Sequence, residues 1–183
     1  MKITILNGNP KADRVAFENY LRELSHHLEL HHHTVNVFNL REMDIKYCIG
    51  CFSCWVKTPG KCITKDDSGN ICRVYINSDL VLFASPVILG FTTALLKKTH
   101  EKLLPLVHPY LEFVQTEVRH LGRYEKYPLM ALLLEKGNDT DEEDIKIISD
   151  IYRRDAINFK TQFFFTKLTS DPVEEVANEI DSI

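Results

Sequence analysis

Short apolar runs along the chain alternate with longer stretches in which apolar residues recur every three or four positions. Residues 2–7, KITILN, form a compact run rich in Ile and Leu that ends at Asn7-Gly8-Asn9-Pro10, where glycine and proline impose a turn. From about Asp13 to His32, Phe17, Leu21, Leu24, Leu28 and Leu30 recur at near-helical spacing, with Glu18, Arg22, Glu23 and His26 on the other side. Strand, tight turn and helix make the start of a βαβ unit. Thr34 to Leu40 alternates and is β-branched, so it predicts a second strand. Asp79 to Ala84, DLVLFA, is nearly continuous apolar sequence, as a strand covered on both faces requires.

Beyond that central strand, Ser85-Pro86-Val87-Ile88-Leu89-Gly90 reads as a strand end turning into a helix over 92–106, with Leu95, Leu96, Thr99, Leu103 and Leu104 in helical phase. Residues 107–127 are less regular and longer than a minimal connection, and are expected to form a flap or a dimer contact. Residues 128–134 predict the fourth strand and Glu135 to Asp139 its terminal turn. Thr140-Asp141-Glu142-Glu143 has the form of a capping box, opening a helix to about Asn158 that buries Ile145, Ile148, Ile151, Tyr152 and Ile157. Thr161 to Leu168 is the fifth strand. Asp171-Pro172 then opens a closing helix with Val173, Val176, Ala177 and Ile180 inward. Strands alternating with helices define an α/β class with a parallel sheet. Ligands of such sheets sit outside the carboxyl ends of the strands, here a crevice bordered by residues 8–14, 85–92 and the loop after the second strand.

Composition narrows the class. With 183 residues, 44% of them hydrophobic, the chain can bury one good core, so a single domain over 1–183 is expected. A net charge of −4, with Lys and Arg scattered among acids, argues against nucleic acid or an anionic membrane as partner. No apolar run approaches the roughly 20 residues that span a bilayer. The amino terminus runs straight into a strand without the pattern of a signal peptide, and five cysteines are an odd number for a secreted disulfide framework, so a cytoplasmic location is expected. His26, His27, His31, His32 and His33 crowd the end of the first helix. There an imidazole suits the carboxyl-terminal dipole and faces water, a reading preferred here over a metal site.

Four of the five cysteines fall in one stretch, YCIGCFSCWVKTPGKCITKDD, as Cys48, Cys51, Cys54 and Cys62 in a C-x2-C-x2-C-x7-C spacing. Gly50, Pro59 and Gly60 permit the turns that would bring the sulfurs together. Three readings stand: a cubane iron–sulfur cluster held by four thiolates, a zinc site, and a loop of free thiols, some of them redox-active. Cys72, among apolar neighbours one helical segment later, reads as an inert buried thiol.

The turn Gly8-Asn9-Pro10-Lys11, the cysteine stretch with Trp55, Pro59 and Gly60, the pair Asp66-Asp67, and Ser85 to Gly90 together resemble the NAD(P)H-dependent FMN reductases of flavodoxin-like fold, specifically the branch that includes iron–sulfur flavoproteins. The resemblance runs from residue 1 to about 168. It implies a three-layer α/β/α fold with a five-stranded parallel sheet in the order 2-1-3-4-5. It implies FMN with its phosphate in the first turn, near Asn9, Lys11 and Arg14, and its isoalloxazine ring against Pro86, Val87, Ile88, Leu89 and Gly90. Gly137, in the turn after the fourth strand, completes the cofactor-binding set. By the same resemblance, Cys48, Cys51, Cys54 and Cys62 are the ligands of a 4Fe–4S cluster. The implied activity passes electrons from NAD(P)H through FMN to a small-molecule or protein acceptor, in a homo-oligomer, with no side chain needed as acid or base. The first turn departs from the family's usual Gly-Ser-Pro-Arg with its later hydroxyls, carries Asp13, and Ile88 stands where an aromatic residue is common. That departure motivates an alternative of a different class, a flavodoxin-fold binding or assembly module that has lost FMN.

Overall fold

A computed structural model describes residues 1–114 and 116–183. Its central sheet is built from β1 (Lys2–Asn7), β2 (Thr34–Asn39), β3 (Leu80–Ile88), β7 (Leu129–Glu135) and β8 (Phe163–Leu168). The order is β2-β1-β3-β7-β8, all neighbours parallel, which is the 2-1-3-4-5 order of a flavodoxin-like sheet. Ile3, Ile5, Leu80, Leu82, Ala84, Ala131 and Leu133 point to one face, under α1 (Val15–Leu30) and α6 (Val173–Asp181). Leu6, Val81, Phe83, Met130, Leu132 and Leu134 point to the other, under α3 (Ser68–Ile76), α4 (Ala94–Glu101) and α5 (Glu142–Asn158). Because helices cover both faces, every residue of β3 from Leu80 to Val87 is buried, which is why its sequence shows no alternation.

Several expectations are corrected. The third strand does not end at Ala84. It runs on to Ile88 and turns through Leu89 and Gly90, both at positive φ, to pair antiparallel with β4 (Phe91–Thr92). Two successive positive-φ residues make the tight hairpin turn whose twist suits the flanking strands. Pro86 is tolerated because the strand is leaving the sheet, where its last partner is Glu135. The following helix is therefore shorter than 92–106, giving way to a 3-10 turn at Leu104–Leu106. The stretch read as irregular holds a separate antiparallel hairpin, β5 (Val107–Val114) and β6 (Glu117–Gly122), a form open to either a flap or a dimer contact. Leu30 and Ile151, expected inside, are exposed.

The capping box of α5 lies one residue later than its sequence form suggested. Asp141 Oδ1 accepts from the Asp144 amide, and Asp144 Oδ2 accepts from the Asp141 amide. Thr140 serves the turn instead, its hydroxyl oxygen accepting from the Gly137 amide at 3.0 Å. The histidines do more than face water. His31 Nδ1 and His33 Nε2 both bond the Asp181 carboxylate, the latter at 2.6 Å, tying the end of α1 to the end of α6.

Candidate functional site

The first turn is set by close packing. Gly8 donates its amide to Ala84 O at 2.8 Å, and the Thr93 hydroxyl at the start of α4 donates to Gly8 O at 2.6 Å. A Cβ on Gly8 would stand 2.7 Å from Leu96 Cβ, so only glycine lets the turn lie on α4. Ser85 is fully buried and its hydroxyl oxygen accepts from the Thr93 amide, fixing the end of β3 to the same helix start. These contacts leave an open cleft of about 500 Å³ lined by Pro10, Ile88, Leu89, Phe91, Thr92, Thr93, Ala94, Leu95 and Lys97. Its lining is mainly apolar and it opens at the carboxyl edge of β1 and β3, where parallel sheets place their ligands.

The expected cofactor residues divide around that cleft. Ile88 and Leu89 line it, Leu89 being 89% exposed. Val87 belongs to the hydrophobic core and Pro86 is buried within the strand. A Cβ on Gly90 would meet Asp144 Oδ1 of α5 at 2.7 Å, and one on Gly137 would lie 2.9 Å from Asp139 Oδ1 and 3.5 Å from Val87 O, so both glycines face the start of α5.

The polar end of the turn carries carboxylates. Asn9 is fully buried, and its side-chain amide donates to Glu18 Oε1 at 2.6 Å, an oxygen that also receives Arg41 Nη1 at 2.9 Å. Arg14 Nη1 lies 2.7 Å from Glu135 Oε2. Lys11 is exposed and pairs with no carboxylate among the described residues. Glu18, Arg41 and Glu135 went unremarked as site residues in the sequence, yet Asn7 and Asn9 at alternate positions facing a first-turn glutamate are a usable signal.

The cysteine loop is a closed structure. At its base, Asp44 N donates to Asp67 Oδ2 at 2.8 Å, Asp67 N to Asp44 O at 2.9 Å, and Lys46 N to Asp66 Oδ2 at 3.0 Å. Gly50 and Phe52 take left-handed φ and turn the chain into the short helix α2 (Ser53–Val56). The Gly60 amide returns to Cys54 O at 2.9 Å. Trp55 anchors the loop, its indole N–H donating to Val107 O at 3.0 Å while its ring packs on Phe52 and His120.

Within the loop Cys48 and Cys51 are exposed, Cys62 is partly buried and Cys54 is buried. The Cys51 thiol is held below its ordinary pKa by hydrogen bonds from the Ser53 amide and hydroxyl. Burial raises that of Cys54, and Cys62, Cys48 and Cys51 each raise it further, so Cys54 senses the other three thiols of the loop. For Cys62 burial opposes ionisation, but the Thr64 amide and hydroxyl and the Lys102 ammonium outweigh it and lower the pKa. Lys102 Nζ stands 3.3 Å from Cys62 Sγ and 3.0 Å from Asp66 Oδ2, with its side chain 2% exposed. Four thiols on one loop, with backbone donors at Cys51 and Cys62 and a buried cation beside Cys62, fit a four-thiolate cluster in donor type and charge. Cys72 lies on α3, outside the loop; burial pushes its pKa up to about 12, with Cys62 and Cys54 also raising it, and its thiol donates to Lys102 O. No local signal in the sequence pointed to Lys102, which lies forty residues from Cys62.

Among the described residues, the side-chain group whose ligand atoms lie within 4.8 Å of one another is Glu23, His27 and Glu174 on α1 and α6; the loop cysteines do not form such a group. Among the described residues, no helix is long and apolar enough to cross a membrane.

A family model described as NADPH-dependent FMN reductase matches residues 1–105. An iron–sulfur flavoprotein of Archaeoglobus fulgidus is 35% identical over 74 residues, 40% of this chain and 33% of that protein. An iron–sulfur flavoprotein of Clostridioides difficile (strain 630) is 35% identical over 100 residues, 53% of this chain and 43% of that protein. The chain thus matches less than half the length of these relatives. Among solved structures, an azoreductase from Bacillus anthracis str. Sterne superposes with a TM-score of 0.71 at 13% identity, covering 100% of both chains. An FMN-dependent NADH-azoreductase from Bacillus anthracis str. Ames Ancestor, in complex with FMN, gives 0.65 at 13% identity over 99% of this chain and 94% of that one. At such identity the structures establish the shared fold.

Proposed function

The chain belongs to the NADPH-dependent FMN reductase family, and we propose that, as a single domain, it is an FMN-dependent NAD(P)H oxidoreductase. The observation that carries this reading is the apolar cleft where Pro10 of the first turn meets Ile88 and Leu89 of the β3–β4 hairpin. Such a cleft takes the isoalloxazine ring, which when bound supplies the capacity to accept a hydride from the nicotinamide. Ile88, Leu89 and Phe91 would fix the plane of the ring and exclude water from it. Lys11 and the start of α1 would face the phosphate, where helix amides and a free ammonium favour an anion. No side chain of the cleft is needed as a proton donor.

Cys48, Cys51, Cys54 and Cys62 are proposed to hold a 4Fe–4S cluster, which would supply single-electron transfer to a small-molecule or protein acceptor. The likeness to two iron–sulfur flavoproteins, and the influence of the other three loop thiols on Cys54, support this over zinc or free thiols. Lys102 would compensate the negative charge of Cys62, and Trp55 would keep the loop seated on the hairpin. Assembly as a homo-oligomer accords with the exposed Tyr110, Leu111 and Phe113 on β5.

The test is the visible spectrum of protein purified without oxygen, with acid-released flavin and iron assayed on the same sample, followed by NAD(P)H oxidation with a quinone acceptor. Flavin bands and turnover are expected. Colourless protein that neither quenches the fluorescence of added FMN nor gains thermal stability from it would overturn the oxidoreductase reading in favour of a cofactorless module. Flavin without iron would overturn the cluster alone.

A further inference from the structure

Cys62, but neither Cys48 nor Cys51, borders a second cavity, of about 470 Å³, that shares no lining residue with the flavin cleft. Its size falls within the range of small-molecule sites, roughly 300–1,000 Å³. Ile76, Pro105, Leu106 and Tyr124 give it an apolar lining, and Cys62 and Cys72 both border it. Its charged groups do not cancel. Asp66, the one carboxylate of the lining, is answered at 3.0 Å by the buried Lys102 ammonium. Lys61 and Arg73 also line the cavity, are exposed, and have no carboxylate partner among the described residues; Arg73 reaches only the neutral side-chain oxygen of Asn70. Ser68 and Gly69, in the first turn of the nine-residue helix α3, bring the positive end of its dipole to the same wall.

We propose that this cavity is a binding site for a small organic anion with a planar apolar body, such as an aromatic carboxylate. Its ring would lie on Ile76, Pro105, Leu106 and Tyr124, and its acidic group would meet Arg73, Lys61 and the start of α3. A bound molecule there touches Cys62, so occupancy of the cavity is communicated to the cysteine loop. The proposal concerns binding and stands whether or not the loop carries a cluster.

Gly69 makes the proposal testable without damaging the fold. A Cβ at this position meets nothing within 4 Å, and its φ lies outside the left-handed region. Gly69→Leu therefore places a side chain in open space at the cavity wall and replaces a poor helix former with a good one. The experiment is calorimetric titration of the purified protein with 2-naphthoate as probe and with uncharged 2-naphthalenemethanol as comparison. It is run on the natural chain, on Gly69→Leu and on Arg73→Gln, with FMN added in excess so that the flavin cleft is filled. Saturable binding of one equivalent of naphthoate is expected, with the alcohol and the Arg73→Gln variant each about tenfold weaker, the worth of one charged hydrogen bond. Gly69→Leu is expected to abolish binding with its melting temperature undiminished. Absence of saturable binding to the natural chain, or binding that survives Gly69→Leu, overturns the site. Equal affinity for acid and alcohol, or for Arg73→Gln and the natural chain, overturns its anionic selectivity. If Gly69→Leu lowers the melting temperature, the Arg73→Gln comparison decides alone.

Discussion

The Lys102 ammonium sits between a thiol and a carboxylate, 3.3 Å from Cys62 Sγ and 3.0 Å from Asp66 Oδ2, and neither Lys102 nor Asp66 exposes more than 2% of its side chain. Asp66 also accepts from the Ser68 amide and hydroxyl and from the Lys46 amide, so this one carboxylate joins the cysteine loop, the start of α3 and the residue just beyond α4. Removing the cation leaves the carboxylate buried and uncompensated. Lys102→Met is expected to lower stability by about 3 kcal/mol, as breaking a buried ion pair does. The double variant Lys102→Met with Asp66→Asn should recover part of that loss. Urea unfolding of the four proteins of this cycle measures it, and a double variant no better than Lys102→Met would show that the pair is not the source.

The start of α5 offers a sharper discrimination. Asp141 and Asp144 exchange side-chain and backbone hydrogen bonds, whereas the sequence pattern nominates Thr140 and Glu143 for the same task. Asp141→Ala is expected to cost about 1 kcal/mol, the usual worth of a helix amino-terminal cap. Glu143→Ala should leave stability within about 0.5 kcal/mol, as an exposed surface substitution does. Equal losses for the two variants in thermal unfolding would refute the assignment.

These outcomes mirror what the sequence disclosed. The inner strands β1, β3 and β7 were legible because burial on both faces writes itself as unbroken apolar runs such as LVLFA, the edge strand β2 because it alternates and is β-branched, and α1 and α6 because one buried face recurs every three to four residues. The hairpin after Ile88 was hidden. Leucine is an unusual residue at positive φ, so Leu89-Gly90 did not look like a two-residue turn, and Pro86 argued for an ending. Capping slipped by one residue because threonine and aspartate at 140 and 141 are both capable and only the entry angle of the chain chooses between them. In the candidate site, cysteine spacing declared the loop. Lys102 and Glu135, which set its charge and that of the first turn, come from other elements, and pairing across the fold leaves no local mark.

The contact between α1 and α6 predicts a pH dependence. Burial opposes ionisation of Asp181, but hydrogen bonds from His33 and His31 prevail and hold its carboxyl below the ordinary carboxylate pKa. A depressed folded-state value means that the ionised form stabilises the fold. That contribution is complete above the unfolded value of about 3.9 and disappears as pH falls through the lower folded value. Asp181→Asn is therefore expected to melt at a lower temperature than the natural chain at about pH 6, with the gap closing as the pH is taken below about 3. A gap that stays constant across this range would place the effect in packing, not in charge.

The first turn holds the last test, which depends on FMN binding where the cleft suggests. Arg14 Nη1 is held 2.7 Å from Glu135 Oε2, and the two side chains are 37% and 19% exposed. A phosphate in this turn must compete with Glu135 for the guanidinium, and the glutamate also repels it. Glu135→Gln removes both obstacles while keeping a side chain of the same shape. A partly exposed pair is worth up to about 1 kcal/mol, so FMN affinity is expected to rise by a factor of about five. Arg14→Gln should weaken binding by a similar factor, because it removes the charge without releasing anything in exchange. Fluorescence quenching of FMN titrated with each protein measures both. Were Glu135 instead the residue that aims Arg14 at the phosphate, Glu135→Gln would weaken binding as Arg14→Gln does, so the sign of this one change separates competition from positioning.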